Sequence, residues 1–334
     1  MSTPSLALTM GEPAGIGGEL TLKAWKSRCN QGPAFITIDN ADRLSKEMER
    51  LGIYAPLETT TDPRDTEKIF PHALPVFDIP LDRLPKPGEP ITETAPAILN
   101  SIKTAVEWAL EGLVSAVVTN PIHKDTLYKS GFQHPGHTEY LAELSGPSST
   151  PVMMLTCPGL RTVPVTVHIG LRQGLDALTS DLIVAQALIT DSALRNDFAI
   201  TSPRLAIAGL NPHAGEAGSM GCEEATIISP AIKVLQNKGI NVTGPEPPDT
   251  LFAENKRNTY DAAICMYHDQ ALIPIKTLDF AGGVNITLGL PIIRTSPDHG
   301  TGLDITQNAT ANPCSLIAAL DTAAALATRR ASRK

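Results

Sequence analysis

Short apolar runs alternate with helical patterns along the whole chain of 334 residues. This alternation is typical of a largely parallel β-sheet covered by helices, so the expected fold class is α/β. Residues Ala95–Leu110 carry apolar side chains at spacings of one and three, which predicts a helix with one apolar face. Strands are predicted at Ser5–Thr9, Ala34–Ile38, Val114–Thr119, Val163–Val167, Leu205–Gly209, Asp261–Cys265 and Val284–Leu288.

The length of the chain indicates two lobes, because a single hydrophobic core rarely grows beyond about 250–300 residues. We place the first lobe at residues 1–125 together with about 305–334. The second lobe is placed at about 126–304, and the change of lobe is expected near Thr119–Gly136.

The charge and the cysteines exclude several classes of protein. The chain has 35 acidic and 27 basic residues, a net charge of -8, which gives no general attraction to nucleic acid or to an anionic membrane. Five scattered cysteines without a CxxC pair argue against a disulfide framework and for a reducing compartment.

Neither a signal peptide nor the roughly 20 apolar residues of a membrane span is evident. We expect a cytoplasmic protein.

Three histidines share one context, since His168, His213 and His268 each follow an apolar run that is predicted to be a strand. In open α/β sheets, ligands bind outside the carboxyl ends of the strands, so these side chains are expected at one edge. Three neutral imidazoles with one open position form a catalytic metal site. From the pattern alone, three histidines that merely form hydrogen bonds near strand ends are the alternative.

Two segments are candidates for binding an anion. Residues 211–224, NPHAGEAGSMGCEE, combine glycines with the start of a helical pattern, so that backbone N–H groups are suited to a phosphate. A plain turn into a helix is the alternative. His137 and Thr138 precede an amphipathic helix, for which Thr138 is the expected N-cap.

Lys276, Asn285 and Arg294 lie in an otherwise apolar region. A cation among buried residues requires an anionic partner, which is either a bound phosphate or carboxylate or a side chain in a salt bridge.

The N-terminal segment has the strand, turn and helix of a nucleotide-binding fold. However, its glycines do not fit GxGxxG, and Pro13 interrupts the turn, so no Rossmann fingerprint is predicted.

Together these segments resemble the 4-hydroxythreonine-4-phosphate dehydrogenase family of vitamin B6 synthesis. The matching motifs run through nearly the whole chain in the family's order. They are GEPAGIG at 11–17, NPIHK at 120–124, GHTEY at 136–140, GLNPHAGE at 209–216, DTLF at 249–252, MYHDQ at 266–270, GVNITLGLPIIRTS at 283–296 and DHGT at 298–301.

The resemblance implies a two-lobed α/β/α fold like that of isopropylmalate dehydrogenase, with the active site in the cleft between lobes at a homodimer interface. It implies that the second lobe carries the metal and substrate residues. The family's metal ligands correspond to His168, His213 and His268. The metal would be zinc, with magnesium or cobalt as alternatives. Its substrate-binding residues correspond to His137, Thr138, Lys276, Asn285 and Arg294.

The resemblance also implies a nicotinamide cofactor, NAD or NADP, bound by a loop that resembles DHGTGLDITQNATANP at 298–313. The cofactor contacts would be His299, Gly300, Thr301 and Asn312. Gly302 and the pair Thr306-Gln307 depart from the wider fold family's pattern, which leaves the choice between NAD and NADP open.

The implied reaction oxidises 4-phosphooxy-L-threonine at C3 to 2-amino-3-oxo-4-phosphooxybutanoate, which decarboxylates to 3-amino-2-oxopropyl phosphate. Lys276, Asp249 and Asp269 are the candidates for catalysis, and Lys276 and Arg294 for the phosphate. One alternative is a dehydrogenase of 4-phospho-D-threonate or 4-phospho-D-erythronate. Another is a metal-dependent lyase or hydrolase without nicotinamide.

Overall fold

The computed structural model describes residues 5–134, 136–147 and 149–332, so the outermost ends of the predicted first lobe lie outside the described residues. The chain divides into two compact units. Unit 1 contains the described residues up to Pro151 together with Leu290–Ala331, and unit 2 contains Val152–Gly289. The expected α/β class is confirmed, since both units combine a sheet with helices.

The strands are, in chain order, β1 (Leu6–Thr9), β2 (Phe35–Asp39), β3 (Leu57–Thr59), β4 (Leu74–Asp78), β5 (Ala116–Thr119), β6 (Val152–Cys157), β7 (Leu160–Thr166), β8 (Arg204–Ala208), β9 (Asn241–Glu246), β10 (Ala262–Tyr267), β11 (Val284–Leu288) and β12 (Arg294–Pro297). In unit 1 the strand order is β3-β4-β2-β1-β5-β12, and every pairing is parallel. In unit 2 the order is β11-β6-β7-β10-β8-β9. There β6 runs antiparallel to both of its neighbours, and the other pairings are parallel.

The α-helices are α1 (Gly17–Arg28), α2 (Ala41–Leu51), α3 (Thr66–Ile69), α4 (Ala95–Leu110), α5 (Lys124–Lys129), α6 (His137–Ser145), α7 (Leu171–Ala177), α8 (Ser180–Asn196), α9 (Ser229–Asn237), α10 (Pro248–Leu251), α11 (Glu254–Arg257), α12 (His268–Leu278) and α13 (Cys314–Ala331). Local sequence sets several of these ends. Asn40 caps α2 by accepting the Arg43 N–H, and Thr179 caps α8 by accepting the Leu182 N–H. Among the described residues, no single helix is long and apolar enough to cross a membrane. Helices α7 and α8 together reach the required length and hydropathy, but they are bent by 92° relative to each other.

The division into units differs from the limits expected from the sequence. Helices α5 and α6 belong to unit 1 because Leu127 and Leu141 pack in one core with Ile98 and Ile102 of α4. Strand β12 belongs there as well, because it pairs with β5. Consequently His137, Thr138 and Arg294 lie in unit 1, rather than in the lobe that was expected to carry all the metal and substrate residues.

Candidate functional site

Two of the three histidines lie together at the carboxyl edge of the sheet in unit 2. Strands β7 and β10 are parallel neighbours, with Thr166 paired to Tyr267. His168 follows the end of β7 and His268 follows the end of β10. Their ring centroids are 5.9 Å apart. Because parallel neighbours end at the same edge, short extensions beyond each strand bring the two imidazoles side by side.

A carboxylate orients one of these rings. His268 Nδ1 lies 2.7 Å from Asp269 Oδ1, so a hydrogen bond at Nδ1 leaves Nε2 as the free nitrogen, as in many metal-binding histidines. The two rings face a cleft of about 230 Å³. The cleft is lined by Thr166, His168, Ile169, Leu171, Gly174, Tyr267, His268 and Asp269. His168 has a φ of 53°, an uncommon conformation for a residue with a Cβ that is often retained at functional positions.

His213 is held apart from this pair. It lies in the turn after β8, within Pro212–Gly218, and its side chain is exposed. Within the described part of one chain, no group of three or more histidine, cysteine, aspartate or glutamate side chains is placed to hold a metal ion. A single chain therefore offers two adjacent imidazoles, and the third predicted ligand lies on an exposed loop.

The glycine-rich segment around His213 binds a carboxylate of the chain itself. Glu224 Oε1 accepts the N–H groups of Leu210 at 2.8 Å and Asn211 at 2.7 Å, and its Oε2 accepts the Asn211 side-chain amide at 2.9 Å. Burial acts to raise the pKa of Glu224, but these hydrogen bonds outweigh it and lower the pKa. Glu224 therefore occupies the backbone donors of Leu210 and Asn211, at the start of the segment that is a candidate for binding an anion.

The other predicted residues of unit 2 are distributed over α12, β11 and α10. Lys276 lies eight residues after His268 on α12, about 12 Å along the helix axis, and its Nζ is 5.2 Å from the centre of the Phe280 ring. Asn285 is half-buried on β11, opposite Leu155. Asp249 and Asp269 line a second, mostly apolar groove of about 370 Å³.

Unit 1 contains a separate cluster of basic groups. Arg294 begins β12 and is 4% exposed, and its Nη2 donates to Thr119 Oγ1 at 2.7 Å. Burial lowers the pKa of Arg294 to about 10. His137 is the first residue of α6, and its buried Nε2 has no hydrogen-bond partner among the described residues. A cation and an unpaired ring nitrogen at the start of a helix favour an anion.

Lys124 adds a second cation to this cluster. A Cβ placed on Gly136 would lie 3.4 Å from the Lys124 ammonium nitrogen, so the lysine reaches the residue before α6. Gly136, not Thr138, is the N-cap residue, and no side chain caps the helix there. The expectation that Thr138 caps α6 is wrong, because the helix begins at His137. The N–H groups of its first turn are thus left to a ligand or to solvent.

The pKa of His137 predicts a pH effect on stability. Burial, and then the positive charges of Arg294 and Lys124, lower this pKa well below its usual range. The unfolded chain therefore takes up a proton near pH 6.5 that folded His137 does not take up, which makes folding less favourable as the pH falls below about 6.5. We expect the free energy of unfolding to fall less in His137→Gln than in the wild type between about pH 6.5 and 5. Urea unfolding of both proteins across this range measures the difference, and equal pH slopes would contradict the assignment.

The proposed cofactor loop is attached to the N-terminal loop of unit 1. The Thr301 carbonyl accepts the Ile16 N–H at 3.0 Å, and a Cβ on Gly15 would lie 2.7 Å from that carbonyl oxygen. Asn312 Oδ1 accepts the Cys314 N–H at 3.0 Å, at the start of α13. By contrast, a Cβ at Gly300 would meet nothing within 4 Å. The segment 299–301 is thus fixed at one end and has open space beside Gly300.

Sequence reasoning did not select Lys124, Thr119 or Glu224 as site residues. Thr119 ends a predicted strand, and Lys124 ends the NPIHK motif that follows it. A basic residue shortly after a strand end could therefore have identified this part of the site. Glu224 gave no such signal, since an acidic residue at the start of a helical pattern is ordinary.

Comparison with known proteins shows similarity over nearly the whole chain. The family described as pyridoxal phosphate biosynthetic protein PdxA matches residues 32–323. A 4-hydroxythreonine-4-phosphate dehydrogenase from Caulobacter vibrioides is 50% identical over 99% of this chain and 99% of its own length. One from Bradyrhizobium diazoefficiens is 49% identical over 96% of each chain. The crystal structure of an enzyme of this name from Klebsiella pneumoniae has a TM-score of 0.89 and 38% identity, covering 97% of this chain and 98% of that chain.

Proposed function

Because the chain belongs to the PdxA family of pyridoxal phosphate biosynthetic proteins, we propose that it oxidises 4-hydroxythreonine-4-phosphate with a nicotinamide cofactor. The family and the dehydrogenase class expected from the motifs are confirmed by relatives that share about half of their residues with this chain and bear one name. That agreement carries the proposal. It also favours a dehydrogenase over a lyase or hydrolase. The likeness to isopropylmalate dehydrogenase, the cleft site and the cytoplasmic location stay predictions.

The histidine pair of unit 2 supports the proposed metal site. Two imidazoles that bind one cation through Nε2 at about 2.1 Å place their ring centres about 5–6 Å apart, which agrees with His168 and His268. The exposed His213 is proposed as the third ligand, supplied by a second subunit. When bound, zinc, magnesium or cobalt would supply a Lewis acid beside the substrate hydroxyl. Asp269 holds the His268 ring in place through Nδ1.

The basic cluster of unit 1 supports a site for the substrate's phosphate. Arg294 offers a rigid planar donor that is already oriented by Thr119, and His137 offers an unpaired buried nitrogen. The start of α6, where Thr138 lies, adds backbone N–H groups. We propose Lys276 as a further contact of the phosphate, as the resemblance implies, and Asn285 for another polar group of the substrate. Lys276, Asp249 and Asp269 are the candidates for moving the hydroxyl proton.

The nicotinamide site is proposed at His299, Gly300, Thr301 and Asn312. The fixed Thr301 backbone and the open space beside Gly300 suit a loop on which a flat ring or a ribose is placed. Asn312 Oδ1 accepts the N–H of Cys314, the first residue of α13, so this side chain also fixes the end of the loop. The nicotinamide would accept the hydride from substrate C3, and the loop's part is to hold it there.

A homodimer is proposed because the surface near the histidine pair is apolar. Leu171, Ile273 and Phe280 are 59%, 62% and 79% exposed, in or beside the segments that bear His168 and His268. Exposed apolar side chains grouped around a polar centre are typical of protein–protein interfaces. The proposal is that a second copy of this chain covers them and supplies its own His213 to the pair.

Ile273→Asp tests this surface. We expect a charge at this position to weaken the dimer by a factor of about 100 or more, because it leaves an uncompensated charge in an apolar contact. Activity should fall in proportion to the dimer lost. Tyr54→Asp is the matched control, since Tyr54 is 76% exposed in unit 1. Sizing chromatography and activity are measured over a dilution series, and a fully active Ile273→Asp monomer would contradict a shared site.

The proposed activity is tested by a substrate panel with metal analysis. Protein loaded with zinc is mixed with NAD or NADP and with 4-hydroxythreonine-4-phosphate, 4-phospho-D-threonate or 4-phospho-D-erythronate. We expect reduced nicotinamide with the amino substrate and at least about tenfold lower kcat/KM with the hydroxy acids. The reverse preference would assign the enzyme to the hydroxy acids. No reduced nicotinamide with any of them would refute the dehydrogenase.

A further inference from the structure

The turn that bears His213 has an unusual backbone. His213, Ala214, Gly215, Glu216 and Ala217 all have positive φ, between 39° and 77°. Four of these five residues have a Cβ, and a run of left-handed conformation is unfavourable for them. Such a run persists only where surrounding contacts hold it. The contacts that hold this turn therefore decide where the His213 imidazole is placed.

One carboxylate binds the backbone that leads into this turn. Glu224 is 6% exposed and is the first residue of a π-helical turn, Glu224–Ile228. It accepts three hydrogen bonds from the two residues that lead into the turn, Leu210 and Asn211. The neighbouring Glu223 accepts a further bond from the Asn211 amide at 2.8 Å. Insertions of π-helical geometry are frequent at functional sites.

The glycines of the turn fit around the same carboxylate. A Cβ on Gly215 would lie 2.6 Å from Glu224 Oε2. A Cβ on Gly209 would lie 2.9 Å from the Cβ of Ala214 and 3.4 Å from Glu224 Oε1. Gly215 thus leaves room for the carboxylate, and Gly209 leaves room for Ala214 of the turn.

A buried amide connects this turn to the strand end that bears His268. Gln270 Nε2 donates to the Gly209 carbonyl at 2.8 Å, and its Oε1 accepts the Met266 N–H at 2.6 Å. Gly209, which precedes the residues bound by Glu224, is thus linked through Gln270 to β10 and α12. Gln270 and Glu224 therefore hold consecutive residues, Gly209 to Asn211, of the segment that leads into the turn.

We propose that Glu224 is a positioning residue that fixes the exposed His213 imidazole for metal binding across the subunit interface. The inference rests on the proposed function, because it takes His213 as a metal ligand. Glu224 binds the two residues that lead into the turn and lies beside Gly215, so it sets the position from which the left-handed run begins. A ligand set divided between subunits depends on such preorganisation, since the dimer interface must bring the rings together in one geometry.

Zinc affinity of Glu224 variants tests the proposal. Glu224→Ala removes all three bonds, and Glu224→Gln keeps the shape but loses charge and one acceptor. We expect zinc affinity, measured by competition with a chromophoric chelator, to fall by about 10–100-fold in Glu224→Ala and less in Glu224→Gln. Amide hydrogen exchange at Leu210 and Asn211 should become faster in the same order. Cobalt-loaded protein should show an altered visible spectrum.

Asp191→Asn is the matched control. Asp191 is also a buried carboxylate of unit 2, and it pairs with Arg195 within α8. Its variant should lose stability but keep wild-type zinc affinity. Wild-type zinc affinity in both Glu224→Gln and Glu224→Ala would overturn the inference. If the alanine variant does not fold, wild-type zinc affinity in Glu224→Gln is enough to overturn it. A His213→Ala protein that binds zinc as tightly as the wild type would instead overturn the proposed metal site, so the two failures are distinguishable.

Discussion

The His213→Ala variant is expected to lose zinc and turnover together while it stays folded. His213 is exposed, so its removal costs little packing and the unfolding temperature should hardly change. Turnover should fall by about three orders of magnitude, because a Lewis acid at the reacting oxygen contributes about 4 kcal/mol to the transition state. Metal content of the purified protein, kcat and thermal unfolding are measured on one preparation.

His72→Ala is the control for this prediction. His72 is an exposed histidine of unit 1 that lies 3.2 Å from Glu58, and its loss should leave metal content and kcat unchanged. Full turnover in a metal-free His213→Ala protein would show that the reaction proceeds without the proposed ligand.

Arg294→Met is expected to lose most of the affinity for the phosphorylated substrate. Removing a buried, hydrogen-bonded cation from a bound anion costs about 2–4 kcal/mol, so kcat/KM should fall by about 30–1000-fold, mainly through KM. Burial lowers the pKa of Arg294, which means that the folded protein disfavours its charge. The variant should therefore unfold at the same temperature as the wild type or higher. Steady-state kinetics and thermal unfolding separate the two effects.

Arg204→Met provides the comparison. Arg204 is a surface arginine of unit 2 that forms an ion pair with Asp261 at 3.0 Å, and it should change KM little. An Arg294→Met enzyme with an unaltered KM and a lower unfolding temperature would make Arg294 a structural residue.

The elements that sequence predicts best are those with strong local patterns. The helix Ala95–Leu110 has the predicted bounds, because its apolar stripe is long and regular. Strands β3, β4, β6, β9 and β12 were not predicted. Strand β3 has three residues, β9 contains Gly244 and Pro245, and β12 begins with a buried arginine. These three strands give no continuous apolar run of the usual length, whereas β6 contains the apolar run VMML and was missed.

The proximity of two candidate site residues was predictable because it follows from sheet geometry. His168 and His268 lie together because β7 and β10 are parallel neighbours, and strand ends are visible in the sequence. The separate place of His213 was not predictable. His213 lies in a left-handed turn, and the two residues that lead into it bond to Glu224, 13 and 14 positions away. The limits of the compact units differ from the expected lobe limits for a similar reason, since the packing of α5 and α6 on α4 is tertiary.

Mixing two inactive variants tests the shared metal site most directly. In a heterodimer of His168→Ala and His213→Ala, one site lacks two ligands, but the other combines an intact His168 and His268 pair with an intact His213. After subunit exchange in an equal mixture, we predict about a quarter of wild-type activity, because half of the dimers are mixed and each has one complete site. A mixture of His168→Ala and His268→Ala should stay inactive. If the first mixture also stays inactive although mixed dimers have formed, the three histidines do not meet across two subunits, and the account is wrong.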